Sequence, residues 1–358
     1  MSRSSFAGNR KQFNEHREQI FKKEEVLFME IESDSFNQEL VLDILSSVDI
    51  DKSYSEKAKM YFQTLKKHKS KANTYTLNIN YYRVGFRYFN SINDFQNTKK
   101  LAYEAIDYLK SNKHLVQKIR LGEMYLNILY SSLHLRDFQT GTKAANQCQK
   151  LFNTGNLNWL IYLETYFLLC LQTRHYPKAK YIWDEVIKNR NFDSYPLDRK
   201  EKWKMYEAYL NYIYVDGNLE LRKFNLYKFL NEVPIYSKDK AGYNVSILVA
   251  QILLLLKESE YDKIISRAES LKMYVSRHVK RENSPRTYYF LKMLLVMIKY
   301  DFDPAKTEQI SQKFYDRMEE KGTNREIEEM EIIPYNTLWK QVLIMLESKK
   351  HEHIVPSK

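Results

Sequence analysis

Apolar residues recur along this chain at helical spacing, without the two-residue alternation of strands. Ser55–Lys67 carries Ala58, Tyr61, Phe62 and Leu65, and Thr74–Phe89 carries Leu77, Ile79, Tyr82, Phe86 and Phe89. Asn97–Leu109 sets Leu101, Ala102, Ala105, Ile106 and Leu109 on one helix face, and His114–Leu133 continues with Leu115, Ile119, Met124, Leu126, Leu129 and Leu133. Upstream, residues 11–33 predict a partly amphipathic helix on Phe13, Ile20, Phe21, Val26, Leu27 and Ile31. Ser35 is placed to cap a second helix, whose face is Leu40, Val41, Ile44, Leu45 and Val48. The small, polar residues 1–10 predict a disordered start.

Polar interruptions divide the rest into pairs. Asn153–Asn156, Asn191–Asp198, Asp216-Gly217-Asn218 and Pro234–Gly242 read as connections. Helices are predicted from about Pro285 and from Pro304 to about Gly322, since proline is accepted in a first turn. Residues 323–334 read as acidic and irregular. Tyr335–Leu346 reads as a final amphipathic helix that caps the stack through Leu338, Trp339, Val342 and Leu346.

One stretch fits a repeat template. Arg174-His175-Tyr176-Pro177-Lys178-Ala179, followed by Trp183, has the turn aromatic, the small residue and the large residue of a tetratricopeptide turn and second helix. Leu163, Tyr166 and Phe167 suit the first helix. The template is degenerate at Phe138 (with Gly141 and Ala145) and at Tyr261 (with Ile264 and Ala268), and the period is irregular. The fold expected is all-α: a right-handed α–α superhelix, a tetratricopeptide-like solenoid of antiparallel helix pairs. Its divisions would be an acidic helical segment at 1–55, the repeat domain at 56–346 and a tail at 347–358.

Composition narrows the alternatives. The chain has 8 Gly and 7 Pro in 358 residues, about 4% against a usual roughly 12%. That is too few turn-formers for a sandwich or barrel, and no glycine-rich phosphate loop is present. With 44% hydrophobic and 28% charged residues the chain is expected to fold and to be soluble. Its longest apolar stretch, Ile247–Leu256, is far short of the about 20 residues that cross a bilayer. Met1–Phe21 has no apolar core of a signal peptide. Cys148 and Cys170 make no disulfide framework. A cytoplasmic location and no membrane association are expected.

The net charge of +12 is unevenly spread. Residues 1–56 are acidic, and residues 57–120 hold most of the positive charge. Between Lys57 and Asn93 there is no acid, and Lys57, Lys59, Lys66, Lys67, Lys69, Lys71, Arg83 and Arg87 alternate with Tyr61, Phe62, Tyr75, Tyr81, Tyr82, Phe86, Tyr88 and Phe89. Cations among aromatic platforms suit single-stranded nucleic acid. They equally suit an acidic protein or the chain's own acidic N-terminus. Candidate partner-binding residues in this block are Lys66, Lys67, Lys69, Tyr82, Arg83 and Arg87. A second candidate is the mixed-charge loop Asn231–Lys240, with Tyr236, Lys238, Asp239 and Lys240 around Pro234. A third is the basic cluster Arg277, His278, Lys280, Arg281 and Arg286, of which Arg281 and Arg286 are taken as site residues.

Chemistry-bearing motifs are absent. The eight histidines form no His-x-x-x-His, and His351 and His353 lie in the tail. No Cys-x-x-Cys and no Gly-x-Ser-x-Gly occurs. The adjacent acids Glu319-Glu320 and Glu328-Glu329 point about 100° apart on a helix and do not share a site. No catalytic residue, metal site or cofactor is expected.

Several literal runs stand out between residues 120 and 346: Asn158-Trp159; Lys200-Glu201-Lys202-Trp203 leading to Tyr206-Glu207-Ala208-Tyr209; Lys228 to Lys240; Lys292-Met293-Leu294; and Glu331-Ile332-Ile333-Pro334-Tyr335 with Trp339. In these the chain resembles a group of tetratricopeptide-like proteins of the Bacteroidetes. The resemblance implies a helical-repeat fold and brings no activity with it. The expected function is a non-enzymatic scaffold or adaptor that docks a protein or peptide on its concave face. The alternative is a nucleic-acid- or ribosome-associated factor using the basic 57–120 block. Nothing in the pattern sets an oligomeric state.

Overall fold

The computed structural model describes residues 3–46, 52–112, 114, 117–213, 224–232, 243–279, 284–320 and 331–354. Among these residues there are fifteen α-helices and no strand. The chain falls into two compact units, Met1–Ser131 and Ser132–Lys358.

The first unit contains α1 (Arg3–Ser46), α2 (Lys52–Lys71), α3 (Tyr75–Ser91), α4 (Phe95–Ser111) and most of α5 (Lys118–His134), inside which the boundary falls. Consecutive helices pack, and α1 lies against both α2 and α3. α1 differs from the expectation. It is one helix of 44 residues that begins at Arg3, within the stretch expected to be disordered. Ser35 lies inside it, with its hydroxyl 3.5 Å from Glu39 Oε1, and caps nothing. The reason is local: between Gly8 and Gly85 the chain has neither Gly nor Pro, so no residue there breaks a helix. Gly85 marks a close approach. A Cβ at this position in α3 would stand 2.4 Å from Leu101 Cδ2 of α4 and 2.7 Å from Phe62 Cε2 of α2.

The second unit holds α6 (Phe138–Leu151), α7 (Leu157–Gln172), α8 (Tyr176–Ile187), α9 (Leu197–Ile213), α10 (Leu226–Glu232), α11 (Tyr243–Lys257), α12 (Tyr261–His278), α13 (Pro285–Lys299), α14 (Pro304–Glu320) and α15 (Tyr335–Ile354). The residues that fit the repeat template are buried: Ala179 and Trp183 in α8, Gly141 and Ala145 in α6, Ile264 and Ala268 in α12. α15 is longer than expected, running to Ile354 into the stretch read as a tail. It packs against α11, α13 and α14. The segment before it reaches back to the end of α7, where Gln172 Nε2 donates to the Glu331 carbonyl and Arg174 Nη2 donates to Thr337 Oγ1 at 3.0 Å.

One turn is repeated five times. After α3, α5, α7, α11 and α13 the chain takes a left-handed residue: Asn93, Arg136, Arg174, Ser259 and Asp301, with φ between 52° and 62°. At each, that residue's N–H bonds three residues back, as Asn93 to Asn90 and Arg174 to Leu171. The next N–H bonds five back, as Asp94 to Phe89, Asp137 to Ser132, His175 to Cys170, Glu260 to Leu255 and Phe302 to Met297. This is the Schellman closure of a helix, made here without glycine. In four of the five, an aromatic residue opens the next helix: Phe95, Phe138, Tyr176 and Tyr261. Two of these helices are capped by an aspartate carboxylate on the third N–H, Asp94 to Asn97 and Asp137 to Thr140, both at 3.1 Å.

Candidate functional site

The basic block turns inward. Lys57 Nζ lies 3.0 Å from Asp43 Oδ2 and 3.3 Å from Glu39 Oε2. His68 Nε2 is 2.5 Å from Glu32 Oε2, and Lys71 is 3.6 Å from Glu25. Asn80 Nδ2 donates to Asp34 Oδ1 at 2.6 Å. All of these carboxylates belong to α1, so part of this block pairs with the chain's own acidic helix. The hydrogen bond from Tyr61 and the nearby Lys57 hold the Glu39 carboxyl below its ordinary range. The hydrogen bond to Asp43 raises Lys57.

The aromatic residues interleaved with these cations are largely packing. Tyr61 stacks on Phe36 of α1 at 3.9 Å, and Phe62 packs among Tyr81, Tyr88 and Phe89. Tyr82 is buried. Lys69 Nζ sits over the Tyr81 and Tyr82 rings at 4.5 and 4.6 Å and donates to Tyr82 Oη at 3.1 Å. Burial lowers its ammonium's pKa. Arg83 forms a two-pronged pair with Glu123 of α5 at 2.9 and 2.8 Å. Arg87 donates to the Arg83 carbonyl at 3.3 Å, and burial pushes its guanidinium down. Of the candidates in this block, Lys66 and Lys67 are exposed.

Arg286, expected as a partner contact, is buried in an ion pair within the chain. Its Nε and Nη2 each lie 2.8 Å from a carboxylate oxygen of Glu331, and Nη1 is 3.3 Å from the Met318 carbonyl. The arginine side chain is 9% exposed and the glutamate 0%. Glu331 also accepts the Tyr335 N–H at 2.8 Å, which starts α15. The pair therefore ties α13 to the base of α15. Tyr236, Lys238, Asp239, Lys240 and Arg281 lie outside the described residues.

A second polar knot joins α7 to α9. The Glu164 carboxylate, 8% exposed, accepts Lys202 Nζ at 2.8 Å, Tyr206 Oη at 2.9 Å and Arg199 Nη1 at 3.2 Å. Lys202 also lies 4.5 Å over the Tyr243 ring. Full burial beside this carboxylate drives the Tyr206 phenol well above its ordinary value. Sequence reading passed over Glu164, because a lone acid in an apolar helix names no partner.

A groove of about 720 Å³ lies between α10, α11 and α12. Its lining combines the carboxamides of Asn231, Asn244 and Gln251 with the guanidinium groups of Arg267 and Arg277. Leu230, Ile247 and Leu248 supply apolar wall, and Met273 is 51% exposed beside them. Gln251 is 7% exposed, and its Oε1 accepts from Arg267 Nε at 3.4 Å. Burial lowers the Arg267 guanidinium. Among the described residues, no carboxylate lies within salt-bridge distance of Arg267 or Arg277. Asn231 opens the loop singled out in the sequence, and Arg277 opens the third basic cluster. The fold brings Asn231 and Arg277 to one groove.

Cys148 and Cys170 are buried and free, with thiols pushed up to about 12, so neither is a nucleophile at neutral pH. Among the described residues, no group of His, Cys, Asp and Glu is placed to hold a metal ion, and no helix is long and apolar enough to cross a membrane. No protein-family model, curated protein or solved structure was found to match this chain.

Proposed function

We propose that this chain is a non-enzymatic scaffold that binds an extended protein or peptide segment. In this reading it works in the cytoplasm as a right-handed, tetratricopeptide-like superhelix. The docking surface is the groove between α10, α11 and α12. The observation that carries the reading is the groove's chemistry. A carboxamide carries both a donor group and an acceptor, the complement of a peptide N–H and C=O, and Asn231 stands at the exposed edge of the groove. Apolar wall and a flexible exposed methionine supply contact area that adapts to different side chains. Two arginines without a carboxylate partner among the described residues favour acidic residues in the bound segment.

The five-fold Schellman turn supports the repeat architecture. The first helices α11 and α13 pack in part on the chain's own α15, which favours the groove over those helices as the docking surface. The inward pairing of the 57–93 cations leaves the nucleic-acid alternative with fewer free charges and no open run of aromatic platforms.

The test is selection of peptides from a displayed random library on the full chain, followed by titration of synthetic copies. Arg277→Glu and Gln251→Leu are expected to weaken binding about tenfold or more without changing melting temperature. Failure to select any peptide, or binding that ignores both substitutions, would overturn the proposal. A low-salt mobility shift with single-stranded RNA, abolished by Lys66→Glu and Lys67→Glu, would favour the alternative.

A further inference from the structure

Helix α1 has two apolar faces, and only one is covered. Met29, Ser33 and Leu40 are buried, and Phe36 stacks on Tyr61 of α2. On the other side Phe13, Ile20, Phe21, Leu27, Phe28 and Ile31 are each 55–66% exposed. At about 100° per residue these six fall within an arc of about 120°, opposite Met29 and Leu40. Residues 9–25 are exposed on every side. A helical stretch of that length without a covered face is marginal on its own in water.

We infer that this outer face of α1 is covered by α1 of a second copy of the chain, running antiparallel. Three observations lead there. The first is area. Each half-exposed phenylalanine leaves roughly 100–150 Å² open, so the six residues expose about 600–800 Å² of side chain. That exceeds the usual largest apolar patch of a monomer and matches one side of a stable interface.

The second observation is register. With the two-fold axis between Ile20 and Phe21, Ile20 meets Phe21 of the second copy and Phe13 meets Phe28. These two pairs put the four aromatic and branched residues nearest the axis against one another, while Leu27 and Ile31 fall beside Asn14 and Arg10 at the ends of the contact. The third is charge. Arg17 and Glu24 lie within the same arc, and among the described residues neither makes an ion pair. The same axis sets Arg17 of one copy beside Glu24 of the other, twice. A parallel arrangement would instead set arginine beside arginine and glutamate beside glutamate, which is repulsive. This self-association is independent of the peptide groove.

The test measures self-association of the full chain by sedimentation, with circular dichroism and melting temperature as folding controls. The wild type is expected to be a dimer. Arg17→Glu and Glu24→Arg, each at a solvent-exposed position, should weaken dimerisation about tenfold. The combined R17E/E24R variant restores both pairs with their signs exchanged and should recover the affinity. Phe21→Ser with Phe28→Ser should leave a folded monomer.

A wild type that stays monomeric at its highest soluble concentration would overturn the inference. So would a dimer in which the charge exchange fails to rescue, because the contact would then lie elsewhere or run parallel. Binding of a monomeric wild type to phosphatidylcholine–phosphatidylglycerol vesicles, lost in the double serine variant, would assign the face to a membrane surface instead.

Discussion

Replacing Arg286 separates a structural role from a binding role. The Glu331 carboxylate is fully buried and takes both of its 2.8 Å side-chain contacts from this one guanidinium. In Arg286→Met the carboxylate keeps the Tyr335 N–H and loses its counter-charge. Removing one partner of a buried ion pair costs about 3–5 kcal/mol. The value expected is near the upper end at pH 8. Glu331→Gln should cost less, about 2–4 kcal/mol. It leaves the guanidinium within 3.5 Å of the half-exposed Glu319, and with the Met318 carbonyl still in reach. The double variant R286M/E331L should recover most of the loss, since an apolar pair of similar volume removes both buried charges.

Urea unfolding of the full chain, followed by circular dichroism, measures all three. With Glu331→Leu as the second single variant, the cycle should give a coupling energy of at least about 2 kcal/mol. Single variants that each lose under about 1 kcal/mol would refute the reasoning. So would an Arg286→Met chain of unchanged stability that no longer binds the selected peptides, because Arg286 would then be a partner contact.

Two further predictions concern the fold. Ser259 adopts φ 61° in its turn, so Ser259→Gly should raise stability by a few tenths to about 1 kcal/mol. Gly155→Ala should lower stability by more, since Gly155 has φ +83° and a Cβ there would meet Asn191 Nδ2 at 2.4 Å; thermal unfolding tests both. Burial pushes the His134 imidazole down to about 4. Its folded value lies below the unfolded 6.5, so its contribution is intact above pH 6.5 and is lost as pH falls toward 4, with a slope of up to about 1.4 kcal/mol per pH unit. Urea midpoints across pH 4–8 should therefore show a decline that His134→Asn flattens, and an unchanged profile in that variant would count against it.

The helices were legible because their causes lie within a few residues. A 3.6-residue apolar period and prolines at 285 and 304 act locally and marked the helices in the sequence; the aspartate caps at 94 and 137 act locally too but were seen only in the structure. Scarcity of glycine pointed to helices but hid the repeat. The five turns reach the left-handed region on Asn, Arg, Ser and Asp, residues that name no such conformation in a sequence. Packing of the helices on either side holds them there. Phe95, which opens one of the four aromatic-led helices, went unread for the same reason.

The candidate site was less legible still. Arg286 reads as a surface cation in a basic run. Its partner is 45 residues away, inside the stretch 323–334 that reads as irregular. The acid-free block at 57–93 reads as a surface for phosphate, yet Lys57 and Lys71 meet carboxylates of α1, 14 and 46 residues upstream, and Arg83 meets Glu123, 40 residues downstream. Local sequence sets what each segment can become, because backbone hydrogen bonding in a helix closes within four residues. Which charge meets which, and where carboxamides and arginines converge, is set by how the finished helices pack. That depends on the shape of every face at once.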